Sequence, residues 1–235
     1  VLLDEIDQLR DYEYLCNEQL ASKLKALLLK KTIMGHLKKE FKEEKKIREI
    51  IHKLDQNKAT EGIWGWCKGT RPAVWISLHV AEALLAARQQ GYTTNFDKQR
   101  LIDYCLYQLQ QHKGIDRLFT LQMLQLAGSN ADLKPYIDTL EKSSTTLFEN
   151  LRLQEIKQLA GLPVPIDSLL NKRRQTVFGN LYWGDEQYRF FDNTMHNTIL
   201  MYRILKRAGD HSATLRKIRN YFLEKRKDGK WRNTY

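Results

Sequence analysis

Apolar residues recur at helical spacing along most of this chain. A stripe of four leucines predicts an amphipathic helix over residues 18–34. These leucines are Leu20, Leu24, Leu27 and Leu28. The same periodicity predicts eight more helices, over residues 37–56, 73–90, 96–112, 116–127, 132–142, 145–160, 192–208 and 211–227. The continuous alternation typical of strands is missing, so the sequence predicts an all-α fold.

Short turns rich in glycine and tryptophan repeat along the chain. They occupy residues 62–66, 179–184 and 228–231, and each stands just ahead of predicted helices. Repeated helix pairs that cannot bury a core alone must stack or close into a ring. We therefore expect the tryptophans to be packing residues of an inner barrel, because large aromatic side chains dominate core energetics. They are Trp64, Trp66, Trp75, Trp183 and Trp231.

The composition is that of a globular protein, with 42% hydrophobic and 29% charged residues in a chain of 235. No apolar run reaches the roughly 20 residues that span a bilayer, so we expect no membrane insertion of this domain. The net charge of +11 is diffuse, since residues 38–49 interleave both signs. The basic clusters 172–174 and 225–227 are short and lack interleaved aromatic residues, so no nucleic-acid partner is expected.

The most specific chemistry lies in the segment Cys16-Asn17-Glu18-Gln19 at a predicted helix start. Residues three apart lie on one helical face, so the sulfur of Cys16 could attack the side-chain carbonyl of Gln19. The attack would expel ammonia and leave an internal thioester. On these four residues alone, a buried structural cysteine beside two solvated polar residues would be the favoured interpretation. The preceding Tyr12 and Tyr14 extend the pattern to Tyr-x-Tyr-x-Cys-x-Glu-Gln.

This extended pattern resembles the thioester domain of the α2-macroglobulin and complement family, most closely its bacterial members. Those members usually have Pro and Gly where this chain has Glu13 and Leu15. The second difference matters, because glycine adopts backbone angles that a branched side chain resists. The glycine and tryptophan turns are similar to those of the α/α toroid that this domain shares with terpenoid cyclases and protein prenyltransferases. The resemblance implies one toroid of helical hairpins over residues 1–235, incomplete at its C-terminus and part of a longer multidomain chain.

The resemblance also implies a single-use endopeptidase inhibitor rather than an enzyme. In the family a protease cuts a bait region, the thioester becomes exposed, and a lysine of the protease is acylated. Gln19 would carry the acyl group and Cys16 would be the leaving thiol, with Glu18 part of the motif and Tyr12 and Tyr14 shielding the bond from water. The implied partners are proteases and the other domains of the parent chain. The implied localisation is exported, periplasmic or at the cell surface, on a membrane-anchored lipoprotein.

Two other functions fit an α/α toroid. One is a noncatalytic binding scaffold whose thioester motif is degenerate, and the other is an enzyme acting on polysaccharide or isoprenoid. The prenyltransferase and cyclase branches need zinc ligands or an acidic motif rich in aspartate, and neither is present. Three cysteines with no CxxC and no Cys/His pair at ligand spacing predict no metal, and no other cofactor is indicated.

The remaining histidines and cysteines are less informative. In some complement relatives a histidine before an inner helix takes over the acyl group and makes the thioester selective for hydroxyls. His196 is the candidate for that role, and the other five histidines are expected to be ordinary surface or core residues. Cys67 and Cys105 could pair in an oxidising compartment, but small apolar fillers are the favoured interpretation of both.

Overall fold

The computed structural model describes residues 3, 6–7, 15–59, 62–111, 115–143, 146–185 and 193–226. These residues form ten named helices and one two-stranded hairpin, which confirms the prediction of an all-α fold. The helices are α1 Asn17–His36, α2 Glu44–Gln56, α3 Val74–Gln89, α4 Lys98–Gln111, α5 Ile115–Ala127, α6 Lys134–Ser143, α7 Leu147–Leu159, α8 Ile166–Leu170, α9 Thr194–Ala208 and α10 Ser212–Glu224. The strands are β1 Arg174–Gln175 and β2 Leu181–Tyr182.

The chain divides into two compact units. The first contains residues 1–129 and 232–235, and the second contains residues 130–231. Within the first unit α1 packs against α2 and α3, and α5 packs against α3 and α4. Within the second, α7 packs against α6 and α9, while α10 contacts α9 and β2. Closure of the helices into a toroid stays a prediction.

Helices α1 and α2 show how sequence pattern sets burial in the first unit. Apolar residues of α2 recur every three or four positions, so one face of this helix is buried and the other is solvated. The buried residues are Ile47, Ile50, Ile51 and Leu54. Helix α1 is buried around most of its circumference, including polar positions near its start. It therefore places polar side chains inside the unit, where each needs a partner.

Three local features differ from the sequence predictions. Helix α2 begins at Glu44, not at residue 37, because Lys38 has a φ of 53°, which an L-residue helix excludes. Helix α8 was not predicted, because five residues are too few to show helical periodicity. The same holds for the antiparallel hairpin, in which Arg174 pairs with Tyr182, since two-residue strands show no alternation.

Two of the glycine and tryptophan turns share one hydrogen-bonding scheme, and the third, at residues 228–231, lies outside the described residues. The indole N–H of Trp64 donates to Leu54 O in α2 at 2.7 Å, and its backbone N–H donates to Ser77 Oγ in α3 at 2.9 Å. In the second unit, the indole of Trp183 donates to a carbonyl of α8 at 2.8 Å, and its backbone N–H donates to a hydroxyl of α9 at 3.0 Å. Each buried tryptophan thus joins the helix before the turn, through its indole, to the helix after it, through its backbone N–H.

The prediction that the tryptophans are packing residues is confirmed for Trp64 and Trp183, which are fully buried. It is wrong for Trp66, which is 51% exposed and contacts the ring of Trp75 edge to face at 5.2 Å. Trp66 lies beyond the hydrogen-bonded indole on the outer part of the turn, so its side chain has no helix pair to enter. Trp231 lies outside the described residues.

Trp64 and Trp66 provide a matched test of this packing. We expect Trp64→Ala to lower the free energy of unfolding by about 3 to 5 kcal/mol, because a buried aromatic ring and its hydrogen bond are lost. Trp66→Ala should cost no more than about 1 kcal/mol, because half of its surface is already in water. Urea denaturation followed by circular dichroism measures both. Equal losses for the two variants would contradict the role assigned to Trp64.

Candidate functional site

Cys16 and Gln19 occupy the first turn of α1. Cys16 is the N-cap residue, with extended backbone angles of φ −68° and ψ 161°, and Gln19 is the third residue of the helix. Positive φ among the described non-glycine residues occurs only at Lys38 and Asp210, so Leu15 adopts ordinary backbone angles. The glycine that bacterial family members have at this position is therefore not required by the backbone seen here.

The same two helical positions hold a different pair in the second unit. The N-cap of helix α7 is Thr146, whose hydroxyl accepts from the backbone N–H of Glu149 at 3.1 Å, while Glu149 Oε2 accepts from the backbone N–H of Thr146 at 3.0 Å. This reciprocal arrangement is a capping box, in which N-cap and third-residue side chains turn toward one another. Cys16 and Gln19 stand at the corresponding positions of α1, but Cys16 makes no side-chain capping hydrogen bond.

The side-chain oxygen of Gln19 lacks a hydrogen-bond donor among the described residues. Its Oε1 atom is buried, yet no described group donates a hydrogen bond to it. Buried side-chain oxygens of stable proteins almost always have a donor, and an exception calls for an explanation. Other buried amide oxygens of the described residues share this state, among them that of Gln154.

The thiol of Cys16 is half-buried, and its surroundings disfavour the thiolate. Burial raises the pKa of Cys16, the backbone N–H of Gln19 lowers it, and the neighbouring Glu18 carboxylate and Cys67 raise it further. A thiolate is stabilised at helix N-termini, but here desolvation is the larger effect. A free Cys16 is therefore mostly a protonated thiol at neutral pH.

Asn17 holds this first turn in place and is fully buried. Its backbone N–H donates to Trp66 O at 2.8 Å and its side-chain Nδ2 donates to Gly65 O at 2.9 Å. Its Oδ1 accepts from Asn57 Nδ2 at 2.8 Å. Helix α1 is thereby joined to the end of α2 and to the turn before α3 by one side chain and one amide.

The turn that receives Asn17, residues 62–73, is itself closed by hydrogen bonds. Gly65 forms a β-bridge with Pro72, and a Cβ atom on Gly65 would meet the backbone oxygens of Thr70 and Arg71 at 2.7 and 2.5 Å. Only glycine fits this approach. The hydroxyl of Thr70 donates to Cys67 O at 2.8 Å and accepts from Cys67 N at 3.0 Å. We call residues 62–73 the Trp64 turn.

A chain of polar side chains runs from Glu18 into α3. Ser22 Oγ donates to Glu18 Oε1 at 3.1 Å and lies 2.9 Å from His79 Nε2. On the other side of the ring, His79 Nδ1 lies 3.0 Å from Lys25 Nζ, which also donates to Glu82 Oε2 at 2.6 Å. An ammonium group only donates, so Nδ1 accepts and Nε2 carries the proton. The Ser22 hydroxyl therefore accepts a hydrogen bond from His79 and donates one to Glu18.

Burial sets the protonation of this chain. Burial and, to a lesser extent, the positive charge of Lys25 lower the pKa of His79 to about 3, so the imidazole is neutral at physiological pH. Burial raises the pKa of the Glu18 carboxyl, while the Ser22 hydrogen bond and the charge of Lys25 oppose the increase. The chain thus places a carboxyl with an elevated pKa two residues from Cys16.

The other predicted site residues are distributed as follows. Tyr12 and Tyr14 lie outside the described residues, so their shielding role stays a prediction. His196 lies in the first turn of α9, in the second unit, and its acyl-transfer role also stays a prediction. Cys105 is buried, as a filler would be, but Cys67 is exposed and that interpretation of it is wrong. Both cysteines are free thiols. Cys67 is exposed because it belongs to the outer part of the Trp64 turn rather than to a helix face.

Neither a metal site nor a membrane span is seen in the described part of the chain. No group of three or more metal-ligating side chains comes together there. None of the helices described has both the length and the apolar character needed to cross a bilayer.

Sequence analysis missed Asn17, Ser22 and His79. Asn17 and Ser22 adjoin the Cys16–Gln19 motif, and Ser22 follows Glu18 by four residues, a spacing that places the two side chains together on one helix face. His79 gave no comparable signal, because its contact depends on the packing of α3 against α1. The sequence does not specify which helix faces another.

The fold is shared with part of a bacterial α2-macroglobulin. No family model and no curated protein matches the sequence. The crystal structure of native α2-macroglobulin from Escherichia coli, spanning domain MG7 to the C-terminus, is similar with a TM-score of 0.65 at 18% identity. A cryo-EM reconstruction of the native conformation of the same protein is similar with a TM-score of 0.67 at 18% identity. Each alignment covers 99% of this chain, which spans 40% and 16% of the two solved chains, respectively.

The neutral state of His79 predicts a pH dependence of stability. Its pKa falls from 6.5 in the unfolded chain to about 3 in the folded protein, so the unfolded state binds a proton that the folded state excludes. The resulting stability is complete above pH 6.5 and is lost as the pH falls toward 3. We expect His79 to account for a loss of about 2 kcal/mol in the free energy of unfolding between pH 7 and pH 5.

The measurement compares urea denaturation of the unsubstituted protein with that of His79→Gln at pH 7, 6 and 5. The glutamine retains a donor for Ser22 but does not titrate, so its curve should be flatter by the stated amount. His52→Gln is the control, because His52 is exposed and hydrogen-bonds to Gln56 on the same helix. Parallel curves for His79→Gln and the unsubstituted protein would show that His79 is not buried as a neutral base.

Proposed function

We propose that this chain is the thioester domain of a bacterial α2-macroglobulin-like endopeptidase inhibitor. The observation that carries the proposal is the pair at the start of α1, where a half-buried thiol at the N-cap stands three residues before a glutamine whose buried amide oxygen has no hydrogen-bond donor. Bond formation joins Cys16 Sγ to Gln19 Cδ and releases ammonia. The later attack of an amine forms an amide at Gln19 and returns the thiol of Cys16.

The wider inhibitor function rests on the shared fold and on the length of the solved relatives. The fold is that of a region within E. coli α2-macroglobulin, and this chain spans less than half of either solved chain. We infer that it is part of a longer exported, membrane-anchored protein with a bait region elsewhere. Its partners would be proteases, captured through a lysine, and the neighbouring domains of the parent chain. Each molecule would react once, so the domain is not an enzyme.

Glu18, Ser22 and His79 support the site rather than react in it. The Ser22 hydroxyl holds the Glu18 carboxyl, and His79 fixes the orientation of that hydroxyl. Glu18 keeps a negative charge near Cys16, which opposes thiolate formation. Because a leaving thiol departs more readily as a thiolate, this charge slows premature loss of the acyl group.

An intact-mass measurement tests the thioester directly. Under non-nucleophilic conditions we expect a mass about 17 Da below that of the sequence, because one ammonia has left. Methylamine should raise the mass to about 14 Da above that of the sequence, place the methylamide on Gln19, and release one titratable thiol. Cys16→Ala and Gln19→Ala should each abolish both changes.

The matched controls for this test are Cys105→Ala and Gln122→Ala, which change a buried cysteine and a buried glutamine outside the site. Both should retain the mass deficit and the methylamine product. Full sequence mass with a titratable Cys16 before any nucleophile is added would favour the scaffold hypothesis. Methylamine found on another glutamine would show that the motif has been assigned wrongly.

The acceptor preference of the site gives a separate prediction. Without a histidine to accept the acyl group, lysine amines attack directly while hydroxyls gain little. We expect covalent conjugates with a protease to be amides that survive mild hydroxylamine, which cleaves esters. His196→Ala should leave the yield of conjugate within about twofold of the unsubstituted protein. Conjugates that hydroxylamine releases, and that His196→Ala suppresses, would instead identify His196 as an acyl-transfer residue.

A further inference from the structure

Cys67 lies beside Cys16, although 51 residues separate them in the sequence. The hydrogen bond from Asn17 N to Trp66 O, 2.8 Å long, joins the peptide after Cys16 to the peptide before Cys67. With standard backbone dimensions, a straight hydrogen bond of this kind places the two Cα atoms no more than about 7 Å apart. Disulfide-linked cysteines usually have Cα atoms about 4.4 to 6.8 Å apart, so the spacing permits a bond.

Two further observations support this proximity. The side chain of Asn17 donates to Gly65 O, so a second hydrogen bond keeps the Trp64 turn against the start of α1. A smaller contribution from Cys67 to the raised pKa of Cys16 agrees with this proximity. The turn around Cys67 is closed by its hydrogen bonds with Thr70, so Cys67 is not carried on a loose loop.

We propose that Cys16 and Cys67 form a disulfide when Cys16 is a thiol and a small disulfide such as oxidised glutathione is present as the oxidant. Cys16 is a thiol before a thioester closes and after one has opened, so the two bonds compete for one sulfur. The disulfide itself requires only the geometry of the first unit and does not rest on the proposed function. Once formed, it removes the nucleophile that thioester closure needs and seals the spent site.

The two cysteines have different parts in this reaction. Cys67 is exposed and Cys16 is half-buried, so an external disulfide such as oxidised glutathione meets Cys67 first. The thiolate of Cys67 attacks the reagent, forms a mixed disulfide and releases one glutathione thiolate. The thiolate of Cys16 then attacks the sulfur of Cys67 and releases the second. Two protein thiols are oxidised, and one glutathione disulfide is reduced to two thiols.

The test uses the purified protein carrying Gln19→Ala, in which no thioester can form. After treatment with oxidised glutathione, we expect a mass loss of about 2 Da and a Cys16–Cys67 linked peptide in a non-reducing digest. Cys16→Ser should instead accumulate glutathione on Cys67. Mixed disulfides on both cysteines of the Gln19→Ala protein, or a linkage of Cys67 to Cys105, would overturn the proposal.

A displaced thiol controls for proximity. Combining Cys67→Ala with Lys68→Cys moves the sulfur by one residue within the same exposed turn. We expect at least about tenfold less peptide linked to Cys16, because one residue changes both distance and direction. Equal yields would show that the turn brings any nearby thiol to Cys16. That result would overturn the specific pairing, and unchanged circular dichroism shows that each variant is folded.

The protein with Gln19 intact separates this proposal from the thioester. With a closed thioester, oxidised glutathione should modify Cys67 alone until methylamine opens the site, after which the linked peptide should appear. If no thioester forms, the linked peptide should appear at once, as in Gln19→Ala. Failure of the thioester therefore leaves the disulfide testable, and absence of the linked peptide in Gln19→Ala leaves the thioester unaffected.

Discussion

The anchoring of Asn17 is the constraint on which the first unit depends. Helix N-termini have backbone N–H groups without helical partners, and a side-chain cap usually satisfies one of them. Cys16 provides no such hydrogen bond, while the N–H of Asn17, another of these groups, donates to the carbonyl of Trp66 in the neighbouring turn. The side chain of Cys16 therefore has no capping role. A neighbouring turn stabilises the helix start, which leaves the sulfur available for chemistry.

Helices α1 and α7 have different pairs of side chains at the same two positions, the N-cap and the third helical residue. In α7 the N-cap and third-residue side chains, Thr146 and Glu149, exchange hydrogen bonds with each other's backbone. In α1 the same positions hold Cys16 and Gln19, whose side chains could be joined by a covalent bond. A capping residue contributes about 1 kcal/mol of stability, so losing it at α1 is a modest cost that the hydrogen bonds of Asn17 can offset. The geometry of a capping box thus needs little change to bring a thiol to an amide.

The helices, and the placement of Cys16 and Gln19 on one helical turn, could be predicted from sequence because both depend on local spacing. Periodicity located nine of the ten described helices, and a three-residue interval placed Cys16 and Gln19 on one turn. The hydrogen bonds of Asn17, the contact of His79 with Ser22 and the proximity of Cys67 depend on how distant segments pack. The exposure of Trp66 likewise depends on packing, since Trp64 and Trp66 are the same residue type in the same turn and only their positions in it differ. Contacts between distant segments of this kind cannot be inferred from the spacing of residues in a single sequence.

The state of His79 bears on how a thioester would survive inside the protein. Ser22 lies three residues beyond Gln19 on the same helix, so it is a hydroxyl near the proposed acyl group. A neighbouring imidazole that accepted the Ser22 proton would activate this hydroxyl and consume the bond as an internal ester. Lys25 prevents this, because it occupies Nδ1 and leaves Nε2 protonated, so His79 donates to Ser22 and cannot act as its base. The same polar chain that positions Glu18 would therefore keep the Ser22 hydroxyl from consuming a thioester at Gln19.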